Sequence, residues 1–89
     1  HYSPGIPLRM NAKKPKKKEA FLLTKKRKIS YENYYYLSKK NDMKESAKNL
    51  YSLLRKIKND GYKMVAVEKI QNKGIGRTIN DRLNKASKY

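Results

Sequence analysis

The chain has 89 residues, of which 24 are lysine or arginine and seven are aspartate or glutamate, so its formal net charge is +17. The absence of cysteine excludes disulfides, thiolate metal sites and a cysteine nucleophile. No apolar run reaches the roughly 20 residues of a membrane span or the roughly 7–15 of a signal peptide. We therefore expect one small domain of a cytoplasmic protein that does not enter a membrane.

The first residues predict that the chain is part of a longer protein. It begins with His1 instead of methionine, and residues 1–7 are rich in proline and glycine. Such a composition is typical of a linker or a turn and does not indicate the start of a helix or strand.

Three short strands are predicted in the first half of the chain. Apolar and polar residues alternate over residues 6–10, and residues 20–24 form a short apolar run. Residues 34–37 are rich in tyrosine, which favours strands. Side chains alternate between the two sides of a strand, so at least one of these tyrosines should belong to the core. The charged segments 11–19 and 25–32 are predicted to be loops.

The clearest predicted element is a helix over about residues 43–59. Asp42 and Glu45 are spaced as a capping box, in which Asp42 accepts from the Glu45 amide and Glu45 reaches back. Gly61 provides the stop, because it is free to take a left-handed conformation. The apolar residues of the helix form one stripe: Met43, Ala47, Leu50, Leu53, Leu54 and Ile57.

A central strand and a second helix complete the predicted fold. Within the strand 62–68, the apolar run 64–67 predicts burial on both faces of a sheet covered by helices. A turn at 71–76 precedes a second helix, whose apolar residues recur at helical period: Ile75, Ile79, Leu83 and Ala86. The predicted fold class is therefore α/β, with a sheet of about four short strands and two main helices.

The residues do not predict an active site within the chain. The single histidine is His1, and none of the serines lies in a Gly-x-Ser-x-Gly turn. No pair of carboxylates suggests acid–base catalysis, and no cluster of histidine and acids suggests a metal site. Asp81, beside Arg82 on the polar face of the last helix, is best explained by a surface ion pair.

Two other features leave ligand binding open. Gly74 and Gly76 stand between a strand and a helix, where a nucleotide phosphate would bind. Ile79 replaces the third glycine of the dinucleotide fingerprint, so a tight β-to-α turn is the preferred interpretation. Residues 34–36 would offer tyrosine rings for base stacking, although a place in the core is again preferred.

The positive charge raises RNA binding as a further hypothesis. Nineteen of the 24 basic residues are lysine, which favours contacts to phosphate without base recognition, and AT-rich codons would produce the same bias. The candidate residues for nonspecific RNA contact lie in one loop: Lys13, Lys14, Lys16, Lys17 and Lys18.

Three motifs span the chain in order. They are H-Y-S-P at residues 1–4, A-x-N-L-Y-x-x-L-R at residues 47–55 and G-I-G-x-x-I-N-D-R-L at residues 74–83. Together they resemble the linker end, the helix and the closing signature of the C-terminal domain of long-form L-threonylcarbamoyladenylate (threonylcarbamoyl-AMP) synthases. Residues 12–40 match that domain poorly.

The resemblance implies a small Rossmann-like domain over residues 6–89, preceded by the end of an interdomain linker at residues 1–5. It implies that an upstream YrdC-like catalytic domain, the partner of this one, makes threonylcarbamoyl-AMP from ATP, L-threonine and bicarbonate for threonylcarbamoyladenosine modification of tRNA. ATP and magnesium would bind there, and this chain would bind no cofactor. Only His1 and Tyr2 would lie near the active site. The alternative is a basic module that binds tRNA or rRNA without catalysis.

Overall fold

A computed structural model describes residues 5–87 of the chain. Its elements, in chain order, are β1 (Leu8–Ala12), β2 (Ala20–Leu23), β3 (Tyr34–Tyr36), α1 (Met43–Asn59), β4 (Val65–Glu68) and α2 (Ile75–Ala86). The strands form a four-stranded sheet in the order β1-β4-β2-β3, and every neighbouring pair is parallel. The predicted α/β class, with four short strands and two main helices, is confirmed.

Strand β1 lies two residues further along the chain than predicted. Pro7 has no amide hydrogen, and its carbonyl accepts from the Val65 amide at 3.0 Å before the strand begins. At the other end, Asn11 has a positive φ of 56°, and the pairing with β4 is irregular between Arg9 and Ala12. An asparagine accommodates this conformation at such an irregularity, so the strand continues into the predicted loop.

Helix α1 has the predicted bounds, but its N-terminal cap involves a third residue. The Asp42 carboxylate accepts from the amides of Lys44 at 2.9 Å and Glu45 at 3.2 Å, as predicted. Glu45 does not reach back to Asp42. The hydroxyl of buried Ser38 donates to the Glu45 carboxylate at 2.6 Å and accepts from the Asp42 amide at 3.1 Å. At the other end Gly61 has a φ of +100°, which confirms its predicted role in the stop.

Both helices pack on the same face of the sheet. Tyr35 belongs to the buried cluster on this face, which confirms that one tyrosine of residues 34–36 lies in the core. The helices contribute Leu50, Leu54, Ile57, Ile79 and Leu83, and the strands contribute Leu22, Tyr35, Val65 and Val67. The apolar stripes of the helices thus cover alternate residues of the strands.

Among the residues that the structure describes, loops and not helices cover the opposite face of the sheet. Phe21, Leu23 and Ala66 are fully buried there, beneath the connections 13–19 and 24–33. A crossover between parallel strands needs about a dozen residues to include a helix, and these connections are shorter. The prediction of helical cover therefore holds for one face only. Met64 is 45 % exposed, so the doubly buried run begins at Val65.

Candidate functional site

The five lysines singled out in the sequence lie exposed in the connection between β1 and β2. Buried Glu19 determines the shape of this loop. Its carboxylate accepts from the Arg9 guanidinium at 2.7 and 3.2 Å and from the Lys16 amide at 2.7 Å. The hydrogen bond from Arg9 and the amide of Lys16 hold the pKa of the Glu19 carboxyl below its usual value, against the opposing effect of burial.

Two further hydrogen bonds secure the same loop against the sheet. The Arg9 guanidinium also donates to the Lys14 carbonyl at 3.0 Å, and the Asn33 side chain donates to the Glu19 carbonyl at 2.9 Å. Arg9 alternates along β1 with Leu8 and Met10, which pack against the helix-side core, so it lies on the opposite face. The lysine loop is therefore held on the face without helices.

The connection between β2 and β3 covers the other part of this face. Arg27 places its guanidinium 5.2 Å from the centre of the Phe21 ring and forms an ion pair with Glu68 of β4. Lys25, Lys26 and Lys28 are exposed beside it. This segment has no sequence pattern beyond its charge, so its position over the sheet was not predictable from the sequence.

The tyrosine ring that is exposed for base stacking belongs to Tyr31 and not to residues 34–36. Tyr35 is buried, and its hydroxyl donates to the Asp60 carboxylate at 2.6 Å. Tyr34 and Tyr36 are half-buried on the loop-covered face. Tyr31 is 61 % exposed, a position for which the sequence carries no signal beyond an aromatic residue in a basic loop.

The turn before α2 has a structural reason for each glycine. A Cβ atom on Gly76 would lie 2.2 Å from the Gln71 carbonyl oxygen, so only glycine allows the helix to start this close to the preceding chain. Gly74 has a φ of +59°, which other residues rarely adopt. Both glycines are therefore required by the tight β-to-α turn itself, and neither indicates a bound phosphate.

Three polar residues of the two internal motifs hold the helices in place. The Asn49 side chain donates to the Leu37 carbonyl at 3.2 Å, and the Asn80 side chain donates to the Ile70 carbonyl at 2.9 Å. Arg82 of α2 donates to the Ala47 carbonyl of α1 at 3.3 Å. Asp81 forms the expected surface ion pair, with Lys85 at 3.5 Å as its partner.

His1 and Tyr2, predicted to lie near an active site, fall outside the described residues. Within residues 5–87, no group of three or more histidine or acidic side chains is placed to hold a metal ion. The same part of the chain contains no helix long and apolar enough to span a membrane.

The fold and these contacts define a small parallel α/β domain whose motif residues secure two helices on one face of a sheet. The family model described as "Threonylcarbamoyl-AMP synthase, C-terminal domain" matches residues 1–88. The chain belongs to this family, and the resemblance seen in the three motifs is confirmed. Comparisons with curated proteins and with solved structures give no significant match. A C-terminal domain implies an N-terminal partner domain in the synthases of this family.

Proposed function

We propose that this chain serves as the accessory domain of a cytoplasmic enzyme that makes threonylcarbamoyl-AMP from ATP, L-threonine and bicarbonate. The reaction is a nucleotidyl transfer, and its product serves threonylcarbamoyladenosine modification of tRNA. The family match over residues 1–88 is the observation that carries the proposal.

In this proposal the chemistry belongs to a YrdC-like N-terminal domain, which binds ATP and magnesium. The polar motif residues Asn49, Asn80 and Arg82 support this division, because each one donates to a backbone carbonyl of its own domain. Gly76 supports it as well, since the Gln71 carbonyl explains why a glycine is needed there. The domain then acts by packing against its partner and by positioning the linker.

The linker is the part of the chain proposed to come nearest to the substrates. Residues 1–5 would be its end and residues 6–89 the accessory domain, with His1 and Tyr2 beside the catalytic centre. A weak contact to tRNA through the lysine loop is a separate proposal.

Pyrophosphate release by the parent enzyme tests the accessory role. One truncation removes residues 6–89 and keeps the linker, and a second also removes residues 1–5. We expect the first truncation to lower the rate, because the domain no longer positions the linker. The second should lower the rate further, because the contacts of residues 1–5 with the catalytic domain are lost as well. A rate unchanged by the first truncation would show that residues 6–89 have no accessory role in the reaction.

A further inference from the structure

The loops over the sheet bring a dense positive charge to one side of the domain. We call this surface the basic face and define it by residues 13–19 and 24–33. Its exposed lysines are Lys13, Lys14, Lys16, Lys17, Lys18, Lys25, Lys26 and Lys28. Two arginines neutralise acids at its base, since Arg9 pairs with Glu19 and Arg27 pairs with Glu68. Glu32 is the remaining carboxylate of these loops, so the charge of the lysines is largely unbalanced.

An exposed aromatic ring stands among these lysines and is held from below. Tyr31 meets Tyr34 edge to face, with ring centres 5.3 Å apart. Tyr34 meets Phe21 in the same way, also at 5.3 Å, and Phe21 is fully buried. The Tyr31 ring is therefore anchored to the core through two contacts while 61 % of the residue stays exposed. Such an ordered ring loses little conformational freedom when a flat partner stacks on it.

A cavity joins the ring to the end of the lysine loop. Its volume is about 380 Å³, it is open to solvent, and its wall is formed by Lys18, Tyr31, Asn33 and Tyr62 together with the acids Glu19, which Arg9 pairs, and Glu32. A cation and an aromatic ring thus border the same space. This is the pairing with which proteins bind single-stranded nucleic acid, where a base stacks on the ring and its phosphate meets the cation.

We propose that the basic face binds single-stranded RNA, with one base stacked on Tyr31 and the phosphates lying along the lysines of both loops. An unpaired base is required, because the ring cannot reach the face of a base inside a duplex. A protein partner fits this surface less well, since lysine is depleted in the cores of protein interfaces. The choice of RNA over DNA rests on the proposed place of the family in tRNA modification.

The aromatic part of the proposal is tested with a labelled oligouridine and this chain, followed by fluorescence anisotropy. Tyr31→Ser should weaken binding by about tenfold, the effect of losing one stacked base, and Tyr31→Phe should restore it. Ile29→Ser is the matched control, because Ile29 lies in the same loop, is 68 % exposed and has no aromatic ring. Equal weakening by Ile29→Ser and Tyr31→Ser would contradict stacking of a base on the Tyr31 ring.

The electrostatic part is tested by the salt dependence of the same binding. Neutralising Lys13, Lys14 and Lys17 with glutamine, or Lys25, Lys26 and Lys28, should make the negative slope of log affinity against log salt shallower by about 2 in each case. The control changes three exposed cations of α1 to glutamine: Lys44, Lys48 and Arg55. If the control weakens binding and flattens the salt dependence as much as either loop variant, the basic face is not a site. Tighter binding of a matched single-stranded DNA would overturn the choice of RNA.

Melting curves of each variant establish that the domain is still folded during the measurements. The RNA assay contains no ATP or threonine, so its outcome is independent of the pyrophosphate assay. If this chain did not bind RNA while its truncation still lowered pyrophosphate release, the RNA-binding proposal would be wrong and the accessory role would stand.

Discussion

The two faces of the sheet are covered in different ways. On the helix-covered face, apolar side chains from two helices bury Leu22, Val65 and Val67. On the loop-covered face, Phe21 and Ala66 are equally buried, but the side chains above them include two arginines and two tyrosines. The first face depends on apolar packing, and the second depends on a set of specific polar and aromatic contacts.

Connection length explains this difference. The chain between β3 and β4 is long enough to contain a helix of 17 residues, which provides an apolar stripe. The connections after β1 and β2 are too short for a helix and are rich in lysine. Such loops cover apolar residues only where individual contacts hold them, as Arg9 with Glu19 and Arg27 with Phe21 do. The loop-covered face should therefore respond more strongly to changes of charge, and the helix-covered face to changes of volume.

The largest effect is expected on the helix-covered face. Leu54 of α1 is fully buried, so Leu54→Ala should lower the free energy of unfolding by about 3 kcal/mol through lost burial and an unfilled cavity. Urea denaturation measures the change. Leu53→Ala is the control in the same helix, because Leu53 is only partly buried and should cost less. An equal cost for both substitutions would contradict packing as the basis of this face.

The corresponding test of the loop-covered face changes charge with little change of volume. Glu19→Gln should lower the free energy of unfolding by about 2 kcal/mol, because the charged hydrogen bonds from Arg9 are lost in a buried position. Glu32→Gln makes the same change on an exposed residue of the second loop and should have little effect. A small effect at Glu19 would mean that apolar burial alone holds the loop.

The helix-covered half was largely predictable from sequence, and the loop-covered half was not. The stripe of α1 and the stop at Gly61 are local signals, and the helix bounds agreed with them. Contacts between distant residues carry no comparable signal. Arg27 and Glu68 are 41 positions apart, and nothing in the sequence pairs these two charges in preference to others. For the same reason Ser38 in the helix cap was missed.

The candidate site shows the same limit. Composition pointed to the lysines of residues 13–18, and the structure leaves them exposed as expected. It did not point to Tyr31, because the ring gains its position only through Tyr34 and the buried Phe21. The run of three tyrosines raised residues 34–36 for stacking, with a place in the core preferred, and Tyr35 does lie in the core. A role that depends on three rings from two strands and a loop follows only from the assembled fold.

A smaller effect is expected from a pH titration, to which both Glu19 on the loop-covered face and Asp60 at the end of α1 contribute. The pKa of the Glu19 carboxyl is lowered in the folded state by the hydrogen bond from Arg9, so the charged form is favoured by folding. This stabilisation is complete above the usual pKa of about 4.5 and is lost as pH falls through the lowered folded value. The free energy of unfolding should therefore decrease below about pH 4.5.

Glu19→Gln should reduce this acid dependence without abolishing it. Asp60 also has a lowered pKa, caused by the hydrogen bond from Tyr35 and then by that from Lys56, and it lies at the end of α1. The remaining acid dependence should decrease further in Glu19→Gln combined with Asp60→Asn. Denaturation midpoints measured between neutral and acidic pH give both differences. If the pH profile of Glu19→Gln were the same as that of the unchanged protein, the contact between Arg9 and Glu19 would not contribute to stability.

The smallest effect is expected from Arg27→Lys, which keeps the charge and removes the planar guanidinium. The group is partly exposed, and its contact with the Phe21 ring and its ion pair with Glu68 are therefore weakened by water. A decrease of about 0.5 kcal/mol in the free energy of unfolding is expected. Arg55→Lys should leave stability unchanged, since it makes the same exchange at an exposed position of α1. Equal effects at the two positions would show that Arg27 contributes only its charge, and the loop over Phe21 would then be held by Tyr34 and the backbone.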